Sequence, residues 1–207
     1  NNKPLLLCVD DEPFILEGLS LNLRRHFEVH TAPDGPHALE LLRERSQIRY
    51  SIILSDMRMP KMDGATFLNQ ARKISPDSVR ILLTGHADLQ DAIRAVNEGH
   101  IFSYLSKPFP APKLLLRCQE ALRQYHINRA QKDVLERTLW GTIEVLIQIL
   151  NMVNPLAFGQ THRTLSTVRQ LATHLNLKEA WQFEIAAMLS QIGCATISAE
   201  TLAKKEG

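Results

Sequence analysis

Five short apolar runs, each followed by a segment with helical periodicity, constrain this chain more than any other feature. The runs occupy residues 5–9, 27–31, 51–54, 79–83 and 101–105. Behind them come Ile15, Leu16, Leu19 and Leu23; then Ala38, Leu39, Leu41 and Leu42; then Phe67, Leu68, Ala71 and Ile74; then Ala92, Ile93 and Val96; and last Leu114 to Leu122. Near-continuous apolar strands alternating with amphipathic helices predict a parallel sheet covered on both faces. Asp34-Gly35 marks a turn, and Pro60 and Gly64 punctuate the loop behind the third run.

The residue that ends each run adds chemistry to this pattern. The first run ends in Asp10 and Asp11, the third in Asp56, the fourth in Thr84 and the fifth in Lys107. In a parallel sheet these ends share one edge, where ligands of open α/β sheets bind. Three carboxylates, a hydroxyl and an ammonium are therefore expected at one spot. Clustered carboxylates repel unless a cation joins them, and hard oxygen donors suit a divalent ion such as Mg²⁺. With such an ion Asp56 is a candidate nucleophile toward a phosphoryl group, with Thr84 and Lys107 on the phosphoryl oxygens.

These residues resemble the receiver domain of bacterial two-component response regulators. The resemblance spans residues 4 to about 124 and rests on Asp10-Asp11, Asp56 followed by Met59-Pro60 and Asp63-Gly64, Thr84, and Lys107-Pro108. It implies a CheY-like, flavodoxin-like (βα)5 fold and a sensor histidine kinase as partner. It also implies Asp56 as phospho-acceptor, with Mg²⁺ on Asp10, Asp11, Asp56 and the Met57 carbonyl. Thr84 and Lys107 would contact the phosphoryl group, and Tyr104 would be the aromatic switch. Arg58 and His86, two residues beyond Asp56 and Thr84, fall where the family tunes phosphate lifetime. The alternative for both, solvated loop residues, stays open.

Residues 125–138 read as a helical linker with few breakers, and residues 139–207 as an all-α domain. A homodimer seam is expected along residues 115–139, with packing on the chain's own second domain as the alternative. Three apolar helical faces follow, around Ile143, Ile147 and Leu150, around Leu165, Val168 and Ala172, and around Ile185, Met188 and Leu189. The stretch from Ala186 to Cys194 resembles the central helix of HD-GYP output domains, which hydrolyse cyclic di-GMP. There the family carries His-Asp before Ile-Gly-Lys, whereas this chain has Ser190 and Gln191 before Ile192-Gly193-Cys194. A hydroxyl and an amide are poor substitutes for imidazole and carboxylate at a metal pair. The register of a further ligand, Gln160 or His162, is ambiguous. The resemblance thus implies a degenerate, truncated HD domain that binds a protein partner and holds no cofactor. A phosphodiesterase is the alternative.

Composition excludes other classes. The net charge of +2 is even, with 16 Lys+Arg against 15 Asp+Glu in residues 1–124 and 8 against 7 beyond, so neither half has the basic excess of a DNA-binding domain. No apolar run is long enough for a membrane span. Residues 1–9 hold no cleavage site behind a long apolar core. Cys8, Cys118 and Cys194 are scattered without metal spacing and fit buried thiols in a reducing compartment. The expected location is the bacterial cytoplasm.

Overall fold

A computed structural model describes residues 3–44, 49–85, 88–97, 101–153, 161–175, 177, 180–190 and 192. It divides into two compact units, residues 1–130 and 131–207. The first alternates β1 Leu5–Val9, α1 Pro13–Leu23, β2 Glu28–Ala32, α2 Gly35–Glu44, β3 Ile52–Asp56, α3 Gly64–Ile74, β4 Val79–Thr84, α4 Leu89–Asn97 and β5 Ser103–Ser106, and then enters α5 Ala111–Val153. The strands form one parallel sheet in the order β2-β1-β3-β4-β5.

Alternation along the strands explains why the apolar runs have no polar face. Leu7, Val9, Ile53 and Leu82 point into a core shared with Ala38, Leu39, Phe67, Leu68 and Ala92 from α2, α3 and α4. Leu6, Cys8, Ile52, Leu54, Ile81 and Leu83 point the other way, against Leu19 and Leu23 of α1 and Leu114, Cys118 and Ala121 of α5. Cys8 and Cys118 are buried free thiols, and burial pushes the Cys118 thiol up to about 12.

Three strands begin later than the apolar runs suggest, β3 by one residue at Ile52. β2 starts at Glu28 because Phe27 closes the turn after α1, its N–H donating to the Leu23 carbonyl at 3.0 Å. Its ring is buried in the α1 and α5 layer. β5 starts at Ser103 because the Ile101 N–H turns back to the Ala95 carbonyl at 3.4 Å.

The second unit holds the later part of α5, with α6 Thr161–His174 and α7 Ala180–Leu189. α5 runs for 43 residues without a break at Gly141. Ile147, Leu165 and Met188 form the unit's buried cluster, with Trp140, Ile143 and Leu150 against it. Arg169 donates to both Glu184 oxygens at 3.1 and 2.8 Å and lies 6.0 Å from the Trp140 ring centre. The Arg169 guanidinium holds the Glu184 carboxyl below its ordinary range. Ile127, Val134, Leu135 and Leu139 of α5 are exposed on this chain. Among the described residues, no helix is long and apolar enough to cross a membrane.

Candidate functional site

The carboxyl ends of β1, β3 and β5 bring three charged side chains together. Asp10 follows β1, fully buried, and its Oδ1 accepts the Glu12 N–H at 2.9 Å. Asp56 ends β3, and its Oδ2 accepts the Arg58 N–H at 2.8 Å. Lys107 follows β5, and its Nζ lies 2.9 Å from Asp10 Oδ2 and 2.5 Å from Asp56 Oδ1. The Lys107 N–H donates to the Thr84 carbonyl at 2.7 Å, which ties the ammonium to the end of β4. The Lys107-Pro108 peptide is cis.

Burial and pairing compete at this trio. Burial pushes the Asp10 carboxyl above its ordinary value, and it outweighs the opposing pull of the Glu12 N–H and the Lys107 ammonium. Burial pulls Lys107 down, yet Asp56 and Asp10 together raise it above the ordinary lysine value. Lys107 is thus a charged counter-ion for two acids.

The three expected carboxylates differ in their surroundings. Asp10 is fully buried whereas Asp11 is exposed, because successive residues at a strand end face opposite ways. Asp11 instead lines an open cleft of about 500 Å³ with Met57, Arg58, Met59, Pro60, Asp63, Asp88 and Asp91. No group of three His, Cys, Asp or Glu side chains placed to hold a metal occurs among the described residues. The Met57 carbonyl accepts the Gly64 N–H at 2.8 Å, so one of its two lone pairs is engaged. Thr84 is buried, and its hydroxyl donates to the Gly85 carbonyl at 3.1 Å. Tyr104 is half-buried against the α2, α3 and α4 layer.

The loop between β3 and α3 is held at both ends. Asp63 caps α3, its side chain accepting the Thr66 N–H at 2.7 Å. Lys61 adopts φ 69, a left-handed conformation costly for a side chain with a Cβ. Its Nζ donates to Asp34 Oδ2 at 2.8 Å, and His37 Nδ1 lies 2.7 Å from Asp34 Oδ1. Beside Asp56 the Arg58 guanidinium is turned onto Asp88, with Nε to Oδ2 at 2.8 Å and Nη2 to Oδ1 at 2.7 Å. Neither Asp34 nor Asp88 is singled out by the sequence as a partner, since contacts that span 27 and 30 positions leave no local pattern. His86 lies outside the described residues.

In the second unit Ser190 follows α7, exposed, with its hydroxyl donating to the Ala187 carbonyl at 2.8 Å. Gln191 and Gln160 lie outside the described residues, as does the His162 side chain.

Comparison with known proteins identifies the fold family of each part of the chain. The response regulator receiver domain family matches residues 6–119, and an HD domain family matches residues 144–207. The hydrogenase transcriptional regulatory protein HoxA of Bradyrhizobium diazoefficiens is 35% identical over 124 residues, 60% of this chain and 25% of that protein. The heme response regulator HssR of Staphylococcus aureus is 36% identical over 123 residues, 59% of this chain and 53% of that protein. The chain thus spans about a quarter to a half of the length of these relatives. Among solved structures, the signal receiver domain of an HD domain-containing protein from Pseudomonas fluorescens Pf-5 is 37% identical with a TM-score of 0.57. It covers 63% of this chain and 94% of that one. The crystal structure of adenylate cyclase from Rhodopirellula baltica is 38% identical with a TM-score of 0.62, covering 64% of this chain and 97% of that one. With the receiver family matched over more than half of the chain and a five-stranded parallel sheet in the order β2-β1-β3-β4-β5, the chain belongs to the response regulator receiver family and carries an HD domain after the receiver.

Proposed function

We propose that Asp56 is the phospho-acceptor of a two-component phosphorelay and that the HD domain is its output. The observation that carries this reading is the Lys107 ammonium between Asp10 and Asp56, 2.9 and 2.5 Å from their carboxylates. A carboxylate oxygen of Asp56 attacks the phosphorus of a phosphohistidine on a sensor kinase. The P–N bond breaks, the imidazole leaves with the bonding pair, and an acyl phosphate forms. Lys107 moves from pairing two carboxylates to pairing the phosphoryl oxygens, and the Thr84 hydroxyl turns from the Gly85 carbonyl toward the same group. With Thr84 drawn inward, Tyr104 rotates into the space that it leaves. Arg58 and His86 flank the phosphoryl group and tune its lifetime.

The donor set fits Mg²⁺. That ion keeps several waters and takes one or two carboxylates together with phosphate oxygens, so a closed cage of acids is not required. Asp10, buried and sharing the single Lys107 ammonium with Asp56, would hold it with Asp56, with Asp11 from the rim, and with the free lone pair of the Met57 carbonyl. When bound, the ion neutralises charge on the phosphoryl oxygens.

For the output, Ser190 stands where HD enzymes of the HD-GYP type carry histidine, and its hydroxyl bonds the Ala187 carbonyl. This supports a domain that acts by binding a partner over a cyclic di-GMP phosphodiesterase. The exposed Leu135 and Leu139 support a seam between two copies along α5. The domain limits that accompany this reading are residues 1–124, 125–138 and 139–207.

The test is phosphorylation by a small-molecule phosphodonor, read by intact mass. A gain of one phosphoryl group that requires Mg²⁺ and is lost in Asp56→Asn supports the reading. No gain in the wild-type chain overturns it.

A further inference from the structure

Arg58 is attached to the site by its backbone and turned away from it by its side chain. Its N–H donates to Asp56 Oδ2 at 2.8 Å, which fixes the start of the side chain at the acceptor. Its guanidinium makes a two-pronged pair with Asp88, at 2.8 and 2.7 Å. The two partners are not equally held: the Arg58 side chain is 72% exposed and that of Asp88 14%. Asp88 immediately precedes α4, its N–H donates to the Gly85 carbonyl at 3.3 Å, and it lines the same cleft as Met57 and Asp11. The carboxylate is therefore the fixed member of the pair, and the long exposed guanidinium is the one that can move.

A phosphoryl group on Asp56 offers this guanidinium a second acceptor. It brings about −1.5 to −2 charge and three oxygens, against the single charge of Asp88. Guanidinium forks bind phosphate and carboxylate with the same geometry, so the two acceptors compete for one donor face.

We propose that Asp88 is a positioning residue that holds the Arg58 guanidinium off Asp56, and that phosphorylation draws the guanidinium from Asp88 onto the phosphoryl group, freeing the entry to α4. This rests on the reading of Asp56 as phospho-acceptor. Once on the phosphoryl group the guanidinium covers its outer oxygens and keeps water away, so the balance between the two acceptors sets how long the acyl phosphate survives.

The experiment measures loss of the phosphoryl group from the full chain in Asp88→Ala, Arg58→Ala, the double variant and Asp88→Glu. Thermal melts confirm that each variant is folded. Asp88→Ala removes the competitor and lengthens the lifetime by roughly two- to five-fold, the range set by an exposed ion pair. Asp88→Glu returns it toward wild type, and Asp88→Ala has no effect where Arg58 is already alanine. A second readout is the Arg58 Nε–H resonance, which shifts in the wild-type chain when beryllium trifluoride is added as a phosphoryl mimic. An Asp88→Ala effect of equal size with and without Arg58, or an Nε–H resonance unmoved by the mimic, overturns the proposal while leaving Asp56 as acceptor. Failure of the wild-type chain to take up a phosphoryl group overturns both.

Discussion

Gly64 lies directly beneath Asp56: a Cβ on Gly64 would collide with the Asp56 carbonyl oxygen and fall 2.9 Å from a Leu82 methyl. The backbone must approach this closely because the Gly64 N–H bonds the Met57 carbonyl and α3 starts here. Gly64→Ala is expected to cost at least about 1–3 kcal/mol, since backbone rather than a flexible side chain would have to move, and to impair phosphoryl uptake. A Cβ added at Gly141 would meet nothing within 4 Å, and the residue lies inside α5. Gly141→Ala is expected to stabilise by roughly 0.5–1 kcal/mol. Urea unfolding of the two variants, compared with phosphodonor labelling, checks both signs.

Lys107 is the counter-ion on which two acids depend. Lys107→Met leaves Asp10 buried beside Asp56 with no ammonium between them, a loss expected to cost about 1–3 kcal/mol without divalent ions. The same variant is expected to bind Mg²⁺ more tightly than wild type, because the ion no longer competes with the ammonium for the two carboxylates. Melting temperatures measured across a Mg²⁺ titration read both effects. A destabilised variant with unchanged Mg²⁺ dependence would count against the competition.

Asp10 makes stability depend on pH in a direction unusual for an acid. Its folded carboxyl sits above the ordinary value of 3.8, chiefly because it is buried. The folded chain therefore holds this proton more tightly than the unfolded chain. The contribution is complete below 3.8 and is lost as pH rises through the raised value. Asp10→Asn removes this loss. Its stability relative to wild type is expected to rise over that window, to hold level above it, and to vanish in acid. Mg²⁺ is expected to stabilise the wild-type chain and not the variant. Urea midpoints between pH 4 and 8, with and without Mg²⁺, test this.

The fold and the place of Asp56 at the sheet's carboxyl edge were readable from the sequence for a common reason. Residues 51–54 are buried on both faces, so they read as an unbroken apolar run, and the first acid after such a run must emerge at the sheet's carboxyl edge. The same logic places Asp10, Thr84 and Lys107. It does not separate Asp10 from Asp11, since which of two adjacent acids turns inward depends on the pleat of β1 and not on residue type. It misplaces the start of β2 by one residue, because Phe27 is buried through a turn and not through the sheet. The pairs Arg58 with Asp88 and Lys61 with Asp34 were not readable at all. Each joins two loops by the tips of long side chains, and charged loop residues carry no periodicity that would match partners.

The Asp34 and Lys61 pair predicts an acid-sensitive loop. Lys61 foremost, and then the His37 N–H, hold the Asp34 carboxyl well below the usual carboxylate range. A depressed folded value means that this contribution is present above the unfolded value near 3.8 and is lost as pH falls below it. Asp34→Asn keeps the size of the side chain and removes the charge that holds Lys61 in its left-handed conformation. The variant is expected to be less stable than wild type at pH 7, with the difference shrinking below pH 4. Lys61→Gly in the same background relieves the backbone cost of about 1–2 kcal/mol and is expected to recover part of the loss. Recovery by glycine and not by Lys61→Ala would show that Asp34 acts by holding a strained backbone, and equal recovery by both would show that it acts through charge alone.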